Sequence, residues 1–345
     1  MALGALALQP WLSSATRAQE PAAWRDPSKH QVKFITVDAD VHLEVLDWGG
    51  AGRALVLLTG SGNTAHVFDD FAPKLIDCCH VYGVTRRGFG MSSHPATGYD
   101  DQRLADDVMR VLDTLQLDHP VLAGHSMGGG ELTTIGRQHS GRISGLVYVD
   151  ATADPAGDPS MNDAEFVATE KKLPEALRRG GPAADRSSIE AFQAGQRRAR
   201  HGAFPESEVR QTMAVLPDGR LGQYKASTRE ISLAIGRGQI KRDYSNIRVP
   251  VLAFIDYPWP PDDARGSSTV FVNEVEYQPA NDEERAAIIA YTRVEKRRVD
   301  QRTANLKRSV ANVEVLELPA AGHYVFLTRE AEVLSGIHRF VRTLK

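Results

Sequence analysis

The run GHSMG places Ser126 between Gly124 and Gly128, directly after the apolar stretch PVLA. Glycines on both sides permit a tight turn in which bulkier neighbours would clash, so the serine hydroxyl is lifted above the end of a strand. At the start of a following helix, the amide of Met127 would point to the place where an oxyanion forms. The pattern therefore predicts a nucleophilic serine; a glycine-rich packing turn is the alternative interpretation.

Apolar runs that alternate with helical patterns indicate the elements that would hold this serine. Runs typical of buried strands are ALVLLTG, HVYGVT, PVLAG, ISGLVYVDA, VPVLAFID and VEVLELP. Between two of them, Leu104, Val108, Val111 and Leu115 recur at helical spacing. Two β-branched runs nearer the N-terminus, HQVKFITVD at 30–38 and VHLEVLDWG at 41–49, predict a hairpin. Strands that alternate with helices predict an α/β fold with a doubly wound, mainly parallel sheet.

Composition limits the partners that this chain can bind. Its 345 residues are 42% hydrophobic and 25% charged, which is typical of a globular protein. A net charge of −3 argues against nucleic acid, because phosphate binding needs a concentrated excess of Lys and Arg. Cys78 and Cys79 are adjacent, so they cannot join distant segments or supply a four-ligand metal site. Beyond the N-terminal segment, no stretch reaches the roughly 20 apolar residues of a membrane span.

The GHSMG turn, set between a predicted strand and a predicted helix, resembles the nucleophile turn of the α/β-hydrolase superfamily. The resemblance extends over about 30–155 and 246–345. The segment between these parts is rich in charge, Ala and Gly and is helical in pattern. Residues 152–245 are therefore expected to form a helical cap, inserted into a core made of 25–151 and 246–345. The resemblance implies no metal and no organic cofactor.

The superfamily order of serine, acid and histidine implies a histidine after the last strand, and His323 stands there in LPAAGHYVF. Three small residues before His323 would let the loop fold back over the sheet edge, and two aromatic residues after it would hold the loop in place. His323 is therefore the predicted general base. His125 precedes the serine and is expected to pack beside the turn.

The loop TGSGNTA, at 59–65, is expected to supply the second oxyanion amide. In the superfamily this amide comes from a His-Gly motif in the loop after the corresponding strand. Thr59 replaces the histidine of that motif, which leaves the backbone role intact, and Ser61 occupies the donor position. Met127 and Ser61 are therefore the predicted oxyanion pair.

A rival interpretation of the same loop is a dinucleotide site. Gly60, Gly62 and Ala65 fit the pattern G-x-G-x-x-A, and Arg86 with Arg87 would be available to an adenine 2′-phosphate. An NADP-dependent reductase is nevertheless disfavoured, because the fingerprint usually follows the first strand of its fold. Here two strands precede the strand that leads into the motif, and the serine and histidine would have no role.

The acid of the triad has several candidates. In most superfamily members it follows the strand that corresponds to VPVLAFID, but here a proline and a tryptophan stand at that place. Asp256 ends this strand, and Asp262 and Asp263 come after two further prolines. A second solution in the superfamily places the acid after the preceding strand, where Asp150 ends VYVDA. Asp150 is preferred, with an aspartate that only caps the next turn as its alternative.

Residues 1–24 join an apolar stretch to small residues and a polar, Pro-containing segment. This is the layout of a secretory signal with a cleavage zone near Ala18, although the usual positive region is absent. We expect an incomplete signal peptide followed by disordered residues, and hence export to the periplasm or the medium. A cytoplasmic location follows if the segment is not a signal.

These features predict a serine hydrolase that cleaves an ester bond of a small organic molecule, with amide, lactone or carbon–carbon bonds as further possibilities. Ser126 would attack the carbonyl carbon, His323 would carry the proton, and Asp150 would orient the imidazole. Dehalogenases and epoxide hydrolases of this fold need a carboxylate nucleophile, which Ser126 is not. A noncatalytic ligand-binding protein on the same fold is the alternative.

Overall fold

A computed structural model describes residues 24–153, 164–178, 184–225, 229–258 and 269–344. Most of the predicted signal segment, and the candidate acids Asp262 and Asp263, lie outside the described residues.

The described residues form twelve β-strands, eight of which make one sheet. The strands are β1 (Gln31–Asp38), β2 (Val41–Gly49), β3 (Arg53–Leu58), β4 (Cys79–Val84), β5 (Val121–His125), β6 (Gly145–Val149), β7 (Met213–Val215), β8 (Leu221–Tyr224), β9 (Val251–Tyr257), β10 (Val270–Val272), β11 (Val275–Tyr277) and β12 (Val313–Pro319). The order across the large sheet is β1-β2-β4-β3-β5-β6-β9-β12. β2 is antiparallel to both of its neighbours, and every other pair in the sheet is parallel. The predicted α/β fold with a mainly parallel sheet is confirmed.

Helices cover both faces of the large sheet. The α-helices of the described residues are α1 (Asp101–Thr114), α2 (Gly128–His139), α3 (Ala164–Glu170), α4 (Glu175–Arg178), α5 (Ile189–Arg200), α6 (Glu206–Thr212), α7 (Arg229–Gly238), α8 (Asp282–Ser309), α9 (Val325–Thr328) and α10 (Glu330–Thr343). Side-chain caps begin several of them. At the start of α1, for example, the Asp100 carboxylate accepts the amide of Arg103 at 2.9 Å and so satisfies a donor that has no partner within the helix. None of the described helices is both long enough and apolar enough to cross a membrane.

Alternating residues of the central strands bury side chains on opposite faces of the sheet. Val56 and Leu58 of β3 pack on the face covered by α1, α2 and part of α8, whereas Leu55 and Leu57 pack on the face covered by α9 and α10. All four side chains are almost completely buried. A strand buried on both faces needs a continuous apolar run, which is why these strands could be recognised in the sequence.

The described part of residues 152–245, the predicted helical cap, contains the helices α3 to α7 and the antiparallel hairpin β7–β8. The helical pattern of this segment did not indicate the hairpin. The hairpin turn lies in the run LPDGR, in which Gly219 adopts φ +84°. Pro-Asp-Gly between two short runs is a turn signal with a known mechanism, so the sequence did contain evidence for this hairpin.

A second insertion follows β9 and consists, within the described residues, of the hairpin β10–β11 and the 28-residue helix α8. The Asn281 side chain caps α8 by accepting the amide of Glu284 at 2.9 Å. At the turn of the hairpin, Asn273 and Glu274 have φ angles of +49° and +63°. Consecutive positive angles at two central residues are typical of the tight turns that match strand twist.

Strand register brings the candidate site residues to one edge of the sheet. His125 pairs with Val149 across β5 and β6, and Val149 pairs with Phe254 across β6 and β9. Ser126 and Asp150, each one residue beyond its strand, therefore lie side by side. In a parallel sheet these carboxyl ends are where ligands bind.

The packing of Phe254 generates a stability prediction. Its side chain is completely buried, and its ring lies so close to α10 that a Cβ at Gly336 would come within 2.5 Å of it. Phe254→Ala should lower the free energy of unfolding by about 3–5 kcal/mol, because it removes buried apolar area and leaves a cavity. Urea denaturation followed by circular dichroism measures the change. Phe34→Ala is the matched control, since the Phe34 side chain is 55% exposed and its loss should cost less than about 1 kcal/mol.

Candidate active site

Ser126 occupies a sharp turn between β5 and α2, where its φ angle is +53°. Non-glycine residues adopt such angles at an energetic cost, which persists only where the surroundings impose the conformation. A Cβ at Gly124 would lie 2.9 Å from the carbonyl carbon of Gly128, so there is no room for a side chain at this point of the motif. Gly129 was not singled out from the sequence, although a Cβ there would lie 2.0 Å from the Ala151 carbonyl oxygen. The run of three consecutive glycines was its only signal.

Ser126, His323 and Asp150 form a continuous hydrogen-bonded chain. The Ser126 hydroxyl lies 2.8 Å from Nε2 of His323, and Nδ1 of His323 lies 2.6 Å from Oδ2 of Asp150. Because a carboxylate can only accept, we assign the proton on the imidazole to Nδ1, which leaves Nε2 free to accept from the serine. The predicted contact between Asp150 and His323 is present in the structure.

Backbone and side-chain contacts fix Asp150 at the end of β6. Its φ angle is +44°, and its amide donates to the carbonyl oxygen of Phe254 at 2.8 Å. Its second carboxylate oxygen, Oδ1, accepts the amide of Asp256 at 3.1 Å. One oxygen of Asp150 is thus tied to the neighbouring strand, and the other faces His323.

Burial and hydrogen bonding act in opposite directions on this pair. Burial tends to raise the pKa of Asp150, but the hydrogen bond from His323 and the charge of its ring together hold that pKa below its ordinary value. Burial tends to lower the pKa of His323, but the hydrogen bond to Asp150 and the charge of this carboxylate raise it above its ordinary value. An imidazole with a raised pKa is a stronger base, which suits proton removal from a serine hydroxyl.

Asp256 holds the loop that carries His323. Its Oδ1 accepts the amides of Ala321 and Gly322 at 3.0 and 2.9 Å. Burial, followed by the charge of Asp150, raises the pKa of Asp256. Asp256 therefore binds the main chain before His323, whereas Asp150 binds the ring.

Glu274, at the tip of the β10–β11 hairpin, is a site residue that the sequence did not indicate. Its Oε1 accepts the amide of His323 at 3.1 Å, and its Oε2 lies 3.4 Å from Nε of Arg200 in α5. The carboxylates of Asp256 and Glu274 thus bind three consecutive amides of the histidine loop. The pairing of a distant hairpin tip with this loop follows only from the folded structure.

The loop after β3 lies directly against the nucleophile. A Cβ at Gly60 would come 2.8 Å from Nδ1 of the buried His125 ring and 3.1 Å from the Cβ of Ser126, so glycine permits this close approach. Ser61 follows at the surface, and Met127 lies in helical conformation just before α2. Of the two predicted oxyanion residues, Met127 thus directly follows Ser126 in the chain, and Ser61 directly follows the glycine that packs against Ser126.

His125 is a structural residue of the site. Burial lowers its pKa to about 3, so its ring is neutral. Its Nε2 donates to the carbonyl oxygen of His323 at 3.0 Å, and its ring packs 4.8 Å from that of Tyr324. These contacts support the backbone of His323, as the expectation of a packing role implies.

The arginines of the rival dinucleotide interpretation face carboxylates of the protein itself. Arg86 binds Glu131 through Nε at 2.6 Å and Nη2 at 2.9 Å. Arg87 binds Asp107 through the same two nitrogens at 2.6 and 2.7 Å. Both guanidinium groups are buried in these bidentate pairs. They are therefore not presented to the phosphate of a nucleotide.

Among the described residues, two groups bring metal-ligating atoms together: Asp26, His30, His66 and Asp69 in one, and Asp77, Cys78 and His338 in the other. In the first, Asp69 already accepts hydrogen bonds from both imidazoles, at 2.8 and 3.0 Å. The indole of Trp48 and the hydroxyl of Ser207 donate to it as well, at 3.1 and 2.6 Å. Four donors thus satisfy the Asp69 carboxylate. A hydrogen-bonded network is therefore sufficient to explain why these two histidines are buried.

A cavity of about 240 Å³ opens beside Asp150 and His323. It lies among the ends of β6 and β9, the hairpin β10–β11 and the helix α8. Phe271, Val272 and Val299 supply the apolar part of the lining, but most of the lining residues are polar or charged, among them Asn273, Glu295 and Arg302. A small molecule bound there would therefore meet polar and charged groups as well as apolar walls.

Solved structures share this architecture. E-2-(acetamidomethylene)succinate hydrolase superposes with a TM-score of 0.59 and 20% identity, covering 91% of this chain and 99% of that chain. An esterase from Exiguobacterium antarcticum superposes with a TM-score of 0.56 and 18% identity, covering 90% of this chain and 100% of that chain. At these identities the likeness establishes the fold alone.

Curated relatives match in sequence over shorter regions. A 2-(acetamidomethylene)succinate hydrolase from Mesorhizobium japonicum is 30% identical over 103 residues, which are 30% of this chain and 37% of the relative. Non-heme chloroperoxidase CPO-A1 from Kitasatospora aureofaciens is 36% identical over 121 residues, 34% of this chain and 43% of the relative. The chain thus spans less than half the length of these two relatives. A model of the alpha/beta hydrolase family, however, matches residues 55–335. Together with the sheet topology and the turn at Ser126, this match shows that the chain belongs to the alpha/beta hydrolase family.

Proposed function

We propose that the protein is a serine hydrolase that cleaves an ester, or a related carbonyl bond, of a small organic substrate. The observation that carries the proposal is the chain of hydrogen bonds from the Ser126 hydroxyl through His323 to Asp150. Nucleophile, base and orienting acid within hydrogen-bond distance are the arrangement that acyl transfer requires. Names of relatives that include hydrolases and an esterase support the same reaction class.

The mechanism assigns one role to each residue. His323 Nε2 removes the proton of Ser126 as Oγ bonds to the carbonyl carbon of the substrate, and Asp150 stabilises the imidazolium that forms. The amides of Met127 and Ser61 bind the oxyanion of the tetrahedral intermediate. When the intermediate collapses, the bond to the leaving group breaks and His323 returns the proton to that group. Water, deprotonated by His323, then hydrolyses the acyl-enzyme and restores the serine.

An ester is the proposed substrate class, ahead of amides and lactones. A serine nucleophile acts on any of these carbonyls, and the names of similar proteins include an esterase, a lactone-degrading enzyme and a deformylase. A panel of matched esters, amides and lactones with the same acyl group measures the preference directly. Faster turnover of the amide or lactone than of the ester would contradict the proposed class.

Loss of the nucleophile or of the base should abolish catalysis. Ser126→Ala and His323→Ala should each remove turnover of 4-nitrophenyl acetate, and the double variant should lose no more than either single variant, since the two groups act as a unit. Stopped-flow release of nitrophenol measures the acylation burst. A fluorophosphonate probe should label the wild-type protein at Ser126. A Ser126→Ala variant that turns over ester at the wild-type rate would refute the hydrolase proposal, and a noncatalytic binding protein would then be favoured.

Asp150 and Asp256 should respond differently to the same substitution. Asp150→Asn should leave the melting temperature nearly unchanged and lower turnover by roughly 10⁴, because Asn does not select the required tautomer or stabilise the imidazolium. Asp256→Asn keeps a side-chain oxygen that can accept the two loop amides, so we expect turnover within about tenfold of wild type. Both variants should be assayed side by side for melting temperature and ester turnover. An inactive Asp256→Asn with an active Asp150→Asn would reverse the assignment.

The raised pKa of His323 predicts the pH dependence of acylation. His323 must be neutral to accept the proton of Ser126, so kcat/KM should fall as the pH falls through the pKa of His323 in the free enzyme. Burial tends to lower this pKa, but Asp150 outweighs burial, so the midpoint of the acid limb should lie above about 6.5, the ordinary value for histidine. The rate of fluorophosphonate labelling should be measured against pH in both wild type and Asp150→Asn. The midpoint of the variant should lie at lower pH than that of wild type. Equal midpoints in the two proteins would contradict the role of Asp150.

A further inference from the structure

The cap helix α6 inserts two adjacent polar side chains into the core beneath it. Glu208 has no solvent exposure, and Ser207 is 3% exposed. Burial raises the pKa of Glu208 to about 7. A carboxyl group buried in this way is costly unless the groups around it satisfy its oxygens, so the positions of its partners are strongly constrained.

Within the described residues, the Glu208 carboxylate accepts its hydrogen bonds from the loop after β3. Its Oε1 accepts the side-chain amide of Asn63 at 2.9 Å and the main-chain amide of Thr64 at 3.2 Å. Its Oε2 accepts the hydroxyl of Thr64. The cap thus binds a loop of the core through both oxygens of one buried carboxylate.

The other end of the same loop is bound by Arg86. This guanidinium donates to the carbonyl oxygens of Thr59 and Gly60, at 2.9 and 3.4 Å, while its pair with Glu131 holds it in place. Only Ser61 and Gly62 lie between the two bound ends, and Gly62 takes a φ angle of +80°. The amide of Ser61, which the mechanism assigns to the oxyanion, is therefore carried by a two-residue span between the contacts of two buried side chains, Arg86 and Glu208.

The contact also reaches the catalytic histidine. Asn63, which donates to Glu208, accepts the hydroxyl of Tyr324 at 3.1 Å. Tyr324 follows His323 in the chain, and its ring packs 4.9 Å from that of Phe204 in the cap. These hydrogen bonds from Glu208 through Asn63 to Tyr324 thus link the cap to the loop after β3 (residues 59–65, here called the oxyanion loop) and to the loop that carries His323.

We propose that Glu208 is a positioning residue, through which the seated cap sets the place of the oxyanion amide of Ser61 and steadies the loop of His323. The proposal rests on the proposed serine-hydrolase function. It assigns the cap a part in the rate of the chemical step, in addition to shaping the substrate pocket. A cap that lifts away would release the end of the oxyanion loop, so the oxyanion site is complete only with the cap in place.

Ser207 attaches α6 to the core independently of Glu208. An effect of Glu208 on the loops can therefore be distinguished from an effect on the attachment of the cap. The Ser207 hydroxyl donates to Asp69 at 2.6 Å, and Asp69 also binds His30 and His66. Removal of the Glu208 carboxylate leaves these hydrogen bonds in place. The variants Glu208→Gln and Glu208→Ala are therefore expected to keep α6 seated.

The test compares Glu208→Gln and Glu208→Ala with Glu206→Gln and Glu206→Ala in the full chain. Glu206 is on the same helix, but its side chain is 39% exposed and pairs with Arg210 at the surface. Glu208→Ala should lower kcat for 4-nitrophenyl acetate about 10²-fold with KM changed less than about threefold, because the loss is comparable with that of one oxyanion donor. Glu208→Gln, which keeps one accepting oxygen, should lose about tenfold. The Glu206 variants should match wild type.

Affinity for a trifluoromethyl ketone provides a readout that a purely structural role would not move. This inhibitor forms a tetrahedral adduct on the serine and uses the oxyanion site, so its inhibition constant should rise in parallel with the loss of kcat/KM across the Glu208 variants. Tyr324→Phe, which removes only the hydroxyl that binds Asn63, should show a smaller loss of kcat, about threefold to tenfold on the same reasoning. Each variant is assayed at a temperature at which circular dichroism shows it fully folded.

The outcomes separate the two proposals. If wild type turns over ester and is labelled at Ser126, but folded Glu208→Ala has the kcat and ketone affinity of Glu206→Ala, the positioning role is refuted and the hydrolase proposal stands. A loss confined to KM would also refute it, since it would indicate a role in substrate binding alone. If wild type neither turns over ester nor reacts with fluorophosphonate, the hydrolase proposal fails, and the role of Glu208 fails with it.

Discussion

The left-handed turn at Ser126 is the constraint on which the rest of the site depends. With φ at +53°, the serine leaves the sheet abruptly, and its hydroxyl stands above the strand ends instead of within the core. The turn persists because glycines surround it: Gly60, Gly124 and Gly129 each have too little space for a Cβ. Close packing of three backbones therefore both creates the strain and prevents its relief. Every other catalytic group has to be brought to this one hydroxyl.

Asp150 and Asp256, at the ends of neighbouring strands, position different parts of the segment that carries His323. Asp150 binds the ring and Asp256 binds the amides that precede it, so ring orientation and loop position are controlled separately. Two carboxylates this close cannot both ionise easily, and the shifts act in opposite directions: the pKa of Asp150 falls while that of Asp256 rises. The charge is thereby concentrated on the carboxylate that faces the imidazole. The same arrangement explains why an acid near the end of β9 is compatible with a triad acid directly after β6.

Periodicity and glycine placement were sufficient to predict the fold, because buried parallel strands require apolar runs and the nucleophile turn requires its glycines. The residues that the structure brings together at the turn, Ser126, His323 and Asp150, each follow an apolar run, so the sequence marks them. Glu274 and Glu208 carry no comparable signal. Each lies in an insertion and binds a loop of the core, and such contacts depend on how the insertions fold over the sheet. The hairpin β7–β8 was missed for a different reason, since its short strands lack the length that periodicity needs.

Hydrogen bonds from acidic side chains and one guanidinium group to the main chain hold the two loops of this site in place. Loops contain backbone groups that an apolar core cannot satisfy, so a loop held close to a core needs polar partners within it. Arg86 supplies donors to the carbonyls at one end of the oxyanion loop, and Glu208 supplies acceptors to the amides at the other. Asp256 and Glu274 do the same for the histidine loop. Arg86 and Glu208 are the two buried members of this set, and each has its polar atoms satisfied only while the oxyanion loop keeps its native course. The cost of leaving these atoms without partners is thus the physical reason why an irregular loop can keep its place beside the nucleophile.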